Sequence, residues 1–212
     1  MSHQECDTVS GSFELLESLL FDLEYFLLDK HLARLAGSAS RLGFKIDLDR
    51  ARQLLLSEAP AGRGCPMKVR LLVDREGRCR LDCQPIKPLD RIRIALARDP
   101  IDKEDLFLYH KTTHRLVYDR AKSLRPDADD VLLWNNDGEI TETTVGNVVF
   151  ELDGKLVTPP VGCGLLPGTM RADLLEKGTI QKRVIRKEHI SRAGSIYLIN
   201  SVRKWAPADL IE

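Results

Sequence analysis

The chain has 212 residues, in which 32 lysine and arginine residues balance 32 aspartate and glutamate residues. A formal charge of zero gives no reason to expect nucleic acid or an anionic membrane surface as a partner. No apolar run approaches the ~20 residues needed to span a bilayer, and residues 1–10 lack the basic-then-apolar pattern of a secretory signal. An apolar fraction of 43% is ordinary for a globular protein, and we expect a cytoplasmic one.

The five cysteines are an odd number and show no CxxC spacing: Cys6, Cys65, Cys79, Cys83 and Cys163. Cys79 and Cys83 fall on one face of a predicted strand, together with Leu81. This pattern favours plain packing of the cysteines over a disulfide or a metal site, so no metal is expected.

The first part of the sequence predicts a hairpin followed by two helices. Two apolar runs, SFELLESLLF and EYFLLD, read as strands joined by a short connection at residues 22–24. Apolar residues spaced by three and four then predict a helix from His31 to Leu42, capped by Asp29 and ended by Gly43. A second helix is predicted for 48–57, begun by Asp47.

The middle of the sequence alternates between strands and breakers. Strands are predicted at 67–73, 78–83 and 91–95. The charged, proline-containing segment after them predicts a linker at 98–106 between two α/β halves, a smaller one at 1–97 and a larger one at 107–212.

The second half predicts a helix at 114–124, a strand at 131–134 and hairpin turns at 136–138 and 153–154. A helix at 169–177 and strands at 180–185 and 195–199 complete the expected elements.

Three features of this half carry chemical information. Glu142 alternates with Ile140 on a strand and would face inward with it, and the glycine-rich loop 162–169 opens a helix whose free N–H groups can receive an anion. A carboxylate and an anion site suit a ligand with one cationic nitrogen and one phosphate. Lys111 lies between aromatic residues and two threonines, a setting for a desolvated, nucleophilic amine. Taken singly, these features are also explained by a surface carboxylate, a capped turn and a solvated lysine.

In combination and in this order, the motifs resemble the fold-type-IV pyridoxal phosphate enzymes, which include branched-chain and D-amino-acid aminotransferases and aminodeoxychorismate lyases. The motifs are HLARL (31–35), SASRLGF (38–44), KTTHR (111–115), EITETTVGNVVF (139–150), LLPGTMR (165–171) and LINSVR (198–203). The resemblance is strongest to the lyase module of synthase–lyase fusions. It implies a two-domain α/β (α+β) fold with pyridoxal 5'-phosphate in the cleft between the domains.

The resemblance also implies the roles of individual residues. Lys111 would be the lysine that bonds to the cofactor, and Glu142 the partner of the pyridine nitrogen. The phosphate would be held by Arg34, Thr169, Met170 and Ser201, and Asn147 would support the site. Arg115 and Arg203 are candidates for the carboxylates of the substrate.

The expected activity is that of a 4-amino-4-deoxychorismate lyase, which releases pyruvate and 4-aminobenzoate for folate synthesis. Arg115 stands where aminotransferases of the family place a tyrosine, and this favours the lyase. Ser18 and Leu20 also depart from residues common in the family. The alternatives are a transaminase for branched-chain or D-amino acids and a catalytically idle cofactor-binding protein. A homodimer is expected, with an aminodeoxychorismate synthase as a further partner.

Overall fold

The computed structural model describes residues 12–60, 65–87 and 90–212. The helices and strands of these residues are β1 (Leu15–Asp22), β2 (Glu24–Tyr25), α1 (Leu28–Leu42), α2 (Leu48–Ser57), β3 (Met67–Val73), β4 (Cys79–Pro85), β5 (Ile92–Leu96), α3 (Leu116–Ser123), β6 (Asp130–Trp134), β7 (Ile140–Thr143), β8 (Asn147–Leu152), β9 (Lys155–Thr158), α4 (Thr169–Glu176), β10 (Gln181–Lys182), β11 (Ile196–Asn200) and β12 (Lys204–Ile211).

The first sheet has the strand order β2-β1-β3-β4, with antiparallel neighbours throughout. Its apolar face packs against α1 and α2 around Leu15, Leu19, Leu35 and Leu55, all at most 1% exposed. Because side chains alternate along a strand, Glu17 of β1 points to the same face as these leucines, and the next residue, Ser18, points to the other.

The second sheet is larger and mixed, with the order β10-β9-β8-β11-β12-β5-β6-β7. β5 runs parallel to both of its neighbours, β12 and β6, whereas most of the other pairs are antiparallel. The mixed α/β class is therefore confirmed.

The two sheets are joined where the cofactor lysine was predicted. Thr112 forms an antiparallel bridge to Leu15, the N–H of Leu16 donates to the carbonyl of Lys111 at 2.9 Å, and the N–H of Thr113 donates to the carbonyl of Glu14 at 2.9 Å. The segment around Lys111 is thus an extension of the first sheet, held beside β1.

Several predicted elements need correction. The second strand of the N-terminal hairpin is confined to β2, because Leu27 adopts a left-handed conformation and the chain turns into α1 at Leu28, before the expected start at His31. Helix α3 begins at Leu116 and not at about His114. The strand expected at 180–185 is reduced to β10, and β12 was not predicted, since Pro207 interrupts its pattern. Gly43, with φ of 69°, ends α1 as expected.

Strand β5 was assigned to the first half of the chain but hydrogen-bonds in the larger sheet. Its alternating pattern fits either sheet. The sequence therefore did not reveal that the chain passes from the first sheet to the larger one between β4 and β5. The predicted linker 98–106 follows β5, and within it the N–H of Ile101 donates to the carbonyl of Trp134 in the same larger sheet. Whether the sheets form separate folding units stays a prediction.

The cysteines are free where the structure describes them, and Cys6 lies outside the described residues. Cys79 packs against the first core as expected, whereas Cys83 is exposed. None of the helices in the described residues combines the length and the apolar character needed to cross a membrane.

Candidate active site

A cavity of about 660 Å³ lies between the two sheets and is lined by residues of both. It brings together all nine predicted site residues: Arg34, Lys111, Arg115, Glu142, Asn147, Thr169, Met170, Ser201 and Arg203. The structure therefore places these residues around one space, while their individual roles remain predictions.

Lys111 extends into this cavity from the segment held against β1. Burial, together with the positive charge of Arg34, lowers the pKa of the Lys111 amine from 10.5 to about 8. A sizeable fraction of the amine is then neutral near physiological pH, as a nucleophile or a base must be.

Glu142 is 3% exposed and accepts hydrogen bonds on both carboxylate oxygens. Oε1 receives the hydroxyl of Tyr118 at 2.8 Å and the backbone N–H of Leu166 at 3.1 Å, and Oε2 receives the side-chain amide of Asn147 at 3.0 Å. Burial raises the pKa of Glu142 to about 7, in spite of the Leu166 and Tyr118 bonds. A cationic group beside this carboxylate would favour its ionised form.

Asn147 joins the carboxylate to the loop that precedes α4. Its amide also donates to the carbonyl of Leu166 at 2.9 Å. Its Oδ1 lies so close to Gly168 that a Cβ added there would meet it at 2.0 Å. Gly168 therefore lets the loop pass directly over Asn147 immediately before α4.

The start of α4 presents free donors to the cavity. Within residues 12–60, 65–87 and 90–212, no group accepts a hydrogen bond from the N–H groups of Thr169, Met170 or Arg171. These are the orphan donors of the first helical turn, which attract anions. Ser201 lies at the same cavity and is tied to β1 by a hydrogen bond from its hydroxyl to the carbonyl of Ser18 at 3.1 Å.

Arg34 is held by a carboxylate that the sequence did not reveal. Its Nε and Nη2 donate to Glu17 at 2.9 and 2.6 Å, and its Nη1 donates to the carbonyl of Pro167 at 3.3 Å. Glu17 also contacts His31 Nδ1 at 2.6 Å. Burial alone would raise the pKa of Glu17, but the charge of Arg34 and the hydrogen bonds to His31 and Arg34 lower it to about 2. Two of the five N–H groups of the guanidinium remain for an anion.

The remaining wall of the cavity is basic. Arg115 donates to the carbonyl of Thr144 and lies 4.6 Å over the ring of Tyr118, and Arg203 donates to the carbonyl of Lys87 at 3.0 Å. Lys68 and Arg70 of β3 line the same space. Burial lowers the pKa of Lys68, and the charges of Arg70, Arg203 and Arg115 lower it further, so the three arginines lie within electrostatic range of Lys68.

Sequence reasoning missed Glu17, His31, Tyr118 and Lys68. The sequence held a signal for His31 and, indirectly, for Glu17. His31 lies three residues before Arg34 on α1, so the two side chains share a face of the helix. Where a histidine and an arginine on one helix face pack against another element, a carboxylate partner is expected. Nothing in the local pattern distinguishes Lys68 or Tyr118 from surface residues.

Comparison with known proteins agrees with this geometry. Residues 11–211 match the family described as Amino-transferase class IV. A protein of Schizosaccharomyces pombe named "Putative aminodeoxychorismate lyase" is 34% identical over 207 residues, which are 93% of this chain and 89% of that protein. The chain belongs to the class IV aminotransferase family.

Two solved structures extend this comparison. A crystal structure from Mesorhizobium loti, described as a "Putative amino-acid aminotransferase", is 38% identical, with a TM-score of 0.87 over 94% of this chain and all of that one. A hypothetical aminotransferase from Mycobacterium tuberculosis, in a form with α-ketoglutarate and PMP bound, is 26% identical, with a TM-score of 0.80 over 99% of this chain and 85% of that one. The family and the PMP-bound structure imply pyridoxal phosphate as the cofactor.

The residues present have the chemistry that this cofactor needs. The free N–H groups at the start of α4 and the remaining Arg34 donors suit a phosphate. Lys111 supplies an amine of lowered pKa, and Glu142 supplies a carboxylate that a pyridine nitrogen can share a proton with. The donor set of the cavity therefore fits pyridoxal phosphate.

Proposed function

We propose that this protein is a pyridoxal-phosphate-dependent 4-amino-4-deoxychorismate lyase that releases pyruvate and 4-aminobenzoate. The proposal rests on family membership, on the likeness to the Schizosaccharomyces pombe protein and on the residues of the cavity. Lys111 would hold the cofactor, Glu142 its pyridine nitrogen, and Arg34, Ser201 and the start of α4 its phosphate.

The cofactor, when bound, would withdraw electrons from the carbon that carries the amino group of the substrate. Lys111, whose amine is partly neutral, would remove the proton from that ring carbon. The C–O bond to the neighbouring enolpyruvyl group then breaks, and the ring becomes aromatic. The departing enolpyruvate takes a proton at its methylene carbon and leaves as pyruvate, so Lys111 can return the proton it removed.

The observation that carries the choice of substrate is the basic wall of the cavity. Aminodeoxychorismate has two carboxylates, one on the ring and one on the enolpyruvyl group. Lys68, Arg70, Arg115 and Arg203 would provide cations for both; burial lowers the pKa of Lys68, and the charges of the three arginines lower it further. The charge of Arg115 also lowers the pKa of Lys111, which supports a role for Arg115 in binding a substrate carboxylate near the reacting amine.

The experiment supplies aminodeoxychorismate and follows two products. Pyruvate is measured by coupling to lactate dehydrogenase, and 4-aminobenzoate by its fluorescence. The proposal expects equal amounts of both from the wild type and neither from Lys111→Ala, which should also lose the adduct trapped by borohydride. A protein that binds pyridoxal phosphate but forms neither product would refute the lyase assignment.

A second candidate is an amino-acid transaminase, which the likeness to the Mesorhizobium loti structure favours. Lys111 would carry out the same first proton removal, so the cofactor residues do not separate the two activities. Transfer of an amino group from a branched-chain or D-amino acid to a keto acid, without release of pyruvate from aminodeoxychorismate, would establish this alternative.

The assembly state forms part of the proposal. We propose a homodimer, with an aminodeoxychorismate synthase as the source of the substrate. Sedimentation of the purified protein alone and with a synthase tests both points, and a monomer that binds no synthase would refute them.

A further inference from the structure

His31 lies at the centre of a buried polar network beside the proposed phosphate site. Its ring is 1% exposed, with Nδ1 at 2.6 Å from Glu17 Oε2 and Nε2 at 3.2 Å from the hydroxyl of Thr169. The network thus connects β1, α1 and α4 through one imidazole. Neither the proposed reaction nor the proposed cofactor contacts account for this histidine.

The partners of His31 determine where its hydrogen lies. Glu17 is ionised and can only accept, because Arg34 donates to both of its oxygens. Nδ1 must therefore carry a hydrogen. In a neutral imidazole the other nitrogen is an acceptor, so Nε2 accepts the hydroxyl hydrogen of Thr169. In this state the only hydrogen of that hydroxyl points at His31 and away from any anion at the start of α4.

We infer that His31 is a positioning residue that takes up a proton when a phosphate group binds at the start of α4. With hydrogen on both nitrogens, His31 donates from Nε2 to the Thr169 oxygen, and the hydroxyl hydrogen is released to bond the phosphate. One proton is gained on His31, and no covalent bond changes elsewhere. The inference rests on the cofactor part of the proposed function.

The charges around His31 are arranged for this change. Glu17 from β1 favours the protonated ring, whereas Arg34 from α1 and Lys111 from the segment beside β1 oppose it, and α4 contributes the neutral Thr169. Burial, as the main cause, lowers the pKa of His31 in the ligand-free protein. A phosphate dianion adds negative charge next to Thr169, which favours the imidazolium.

Calorimetry can count the proton. The full chain is titrated with pyridoxal 5'-phosphate and with pyridoxal in buffers of different ionisation enthalpy, at pH about 7.5, where a phosphate monoester with a second pKa of about 6 is already mostly a dianion. Subtracting the pyridoxal result removes the contribution of the Lys111 amine. We expect phosphate-dependent uptake of up to about one proton by the wild type.

Two variants separate the proposed relay from simple charge attraction. His31→Gln can donate an amide hydrogen to Thr169 without a charge, so it should retain the preference for the phosphate ligand but show no proton uptake. Thr169→Val keeps the His31 imidazole but removes the hydroxyl that links it to the phosphate, so it should lose the uptake and bind the phosphate ligand roughly tenfold more weakly relative to pyridoxal. The exposed His189 provides the control, since His189→Gln should behave as the wild type.

A measurement on the unaltered protein guards against variants that do not fold. In protein labelled with ¹⁵N at histidine, the Nε2 signal of His31 should move from the range of an unprotonated nitrogen to that of a protonated one on addition of pyridoxal phosphate. A signal that stays unprotonated, or uptake that persists in Thr169→Val, overturns the inference. Lyase activity without proton uptake would refute this inference alone, whereas proton uptake without activity would refute only the proposed reaction.

Discussion

The contact between Gly168 and Asn147 yields the sharpest prediction about the site. In Gly168→Ala the new Cβ would meet Asn147 Oδ1 at 2.0 Å, well inside the 3.4 Å at which ordinary contact begins. Gly168 has φ of −64°, so the alanine backbone is unstrained and the whole cost comes from this clash. Overpacking of this kind costs about 1–3 kcal/mol. Moving Asn147 also weakens its hydrogen bonds to Glu142 and Leu166, so we expect the free energy of unfolding to fall by about 2–4 kcal/mol.

Urea denaturation of four proteins tests this reasoning: the wild type, Gly168→Ala, Asn147→Ala and the double variant. Once Asn147 is truncated the clash is gone, so the second substitution should cost little in that background. Gly162→Ala is the matched control, because a Cβ at Gly162 meets nothing within 4 Å. An equal cost of Gly168→Ala in both backgrounds, or no greater cost than that of Gly162→Ala, would refute the argument.

Further predictions concern the ionisable groups of the cavity. Because the pKa of Glu142 in the folded protein is raised from 4.5 to about 7, ionisation of this carboxyl opposes folding. The ligand-free protein should therefore lose stability as the pH rises from about 4.5 to 7. Denaturation curves recorded across this range should show a smaller decline for Glu142→Gln. Glu17 has the opposite sign: its pKa of about 2 gives stability above about 4.5 that is lost as the pH falls toward 2, and Glu17→Gln should reduce that loss. Tyr118→Phe removes a donor to Glu142 and should move the Glu142 decline to higher pH; an unchanged midpoint would contradict the bond. Lys68→Met should raise KM for aminodeoxychorismate roughly tenfold with little change in kcat, measured from initial rates; an unaltered KM would exclude Lys68 from carboxylate binding.

The sequence was most informative where chemistry and local geometry coincide. Glu142 could be predicted to face inward because it alternates with Ile140, which is fully buried. The loop that ends at Gly168 predicted the start of α4, because glycine and proline before an apolar run are strong helix-boundary signals. These signals are local, so they survive without knowledge of the rest of the fold.

The missed features depend on contacts between distant segments. Alternation puts Glu17 of SFELLESLLF on the same face as Leu15 and Leu19, but only the helix packed above it supplies the His31 and Arg34 that stabilise a buried carboxylate there. Lys68 likewise becomes part of the cavity only when β3 faces the turn that carries Arg203. The change of sheet before β5 was invisible for the same reason, since a strand pattern does not specify its partner.

The position of β12 has a consequence for the order of assembly during synthesis. β12 lies between β11 and β5, so it alone joins the strands β8 to β11 to the strands β5 to β7 in the larger sheet. β5 leaves the ribosome long before residues 204–211 exist, and until then its edge has no native neighbour on that side. During this interval the exposed edge can pair with other chains. Closure of the larger sheet, and with it the full wall of the cavity, is therefore a late step that a chaperone could protect.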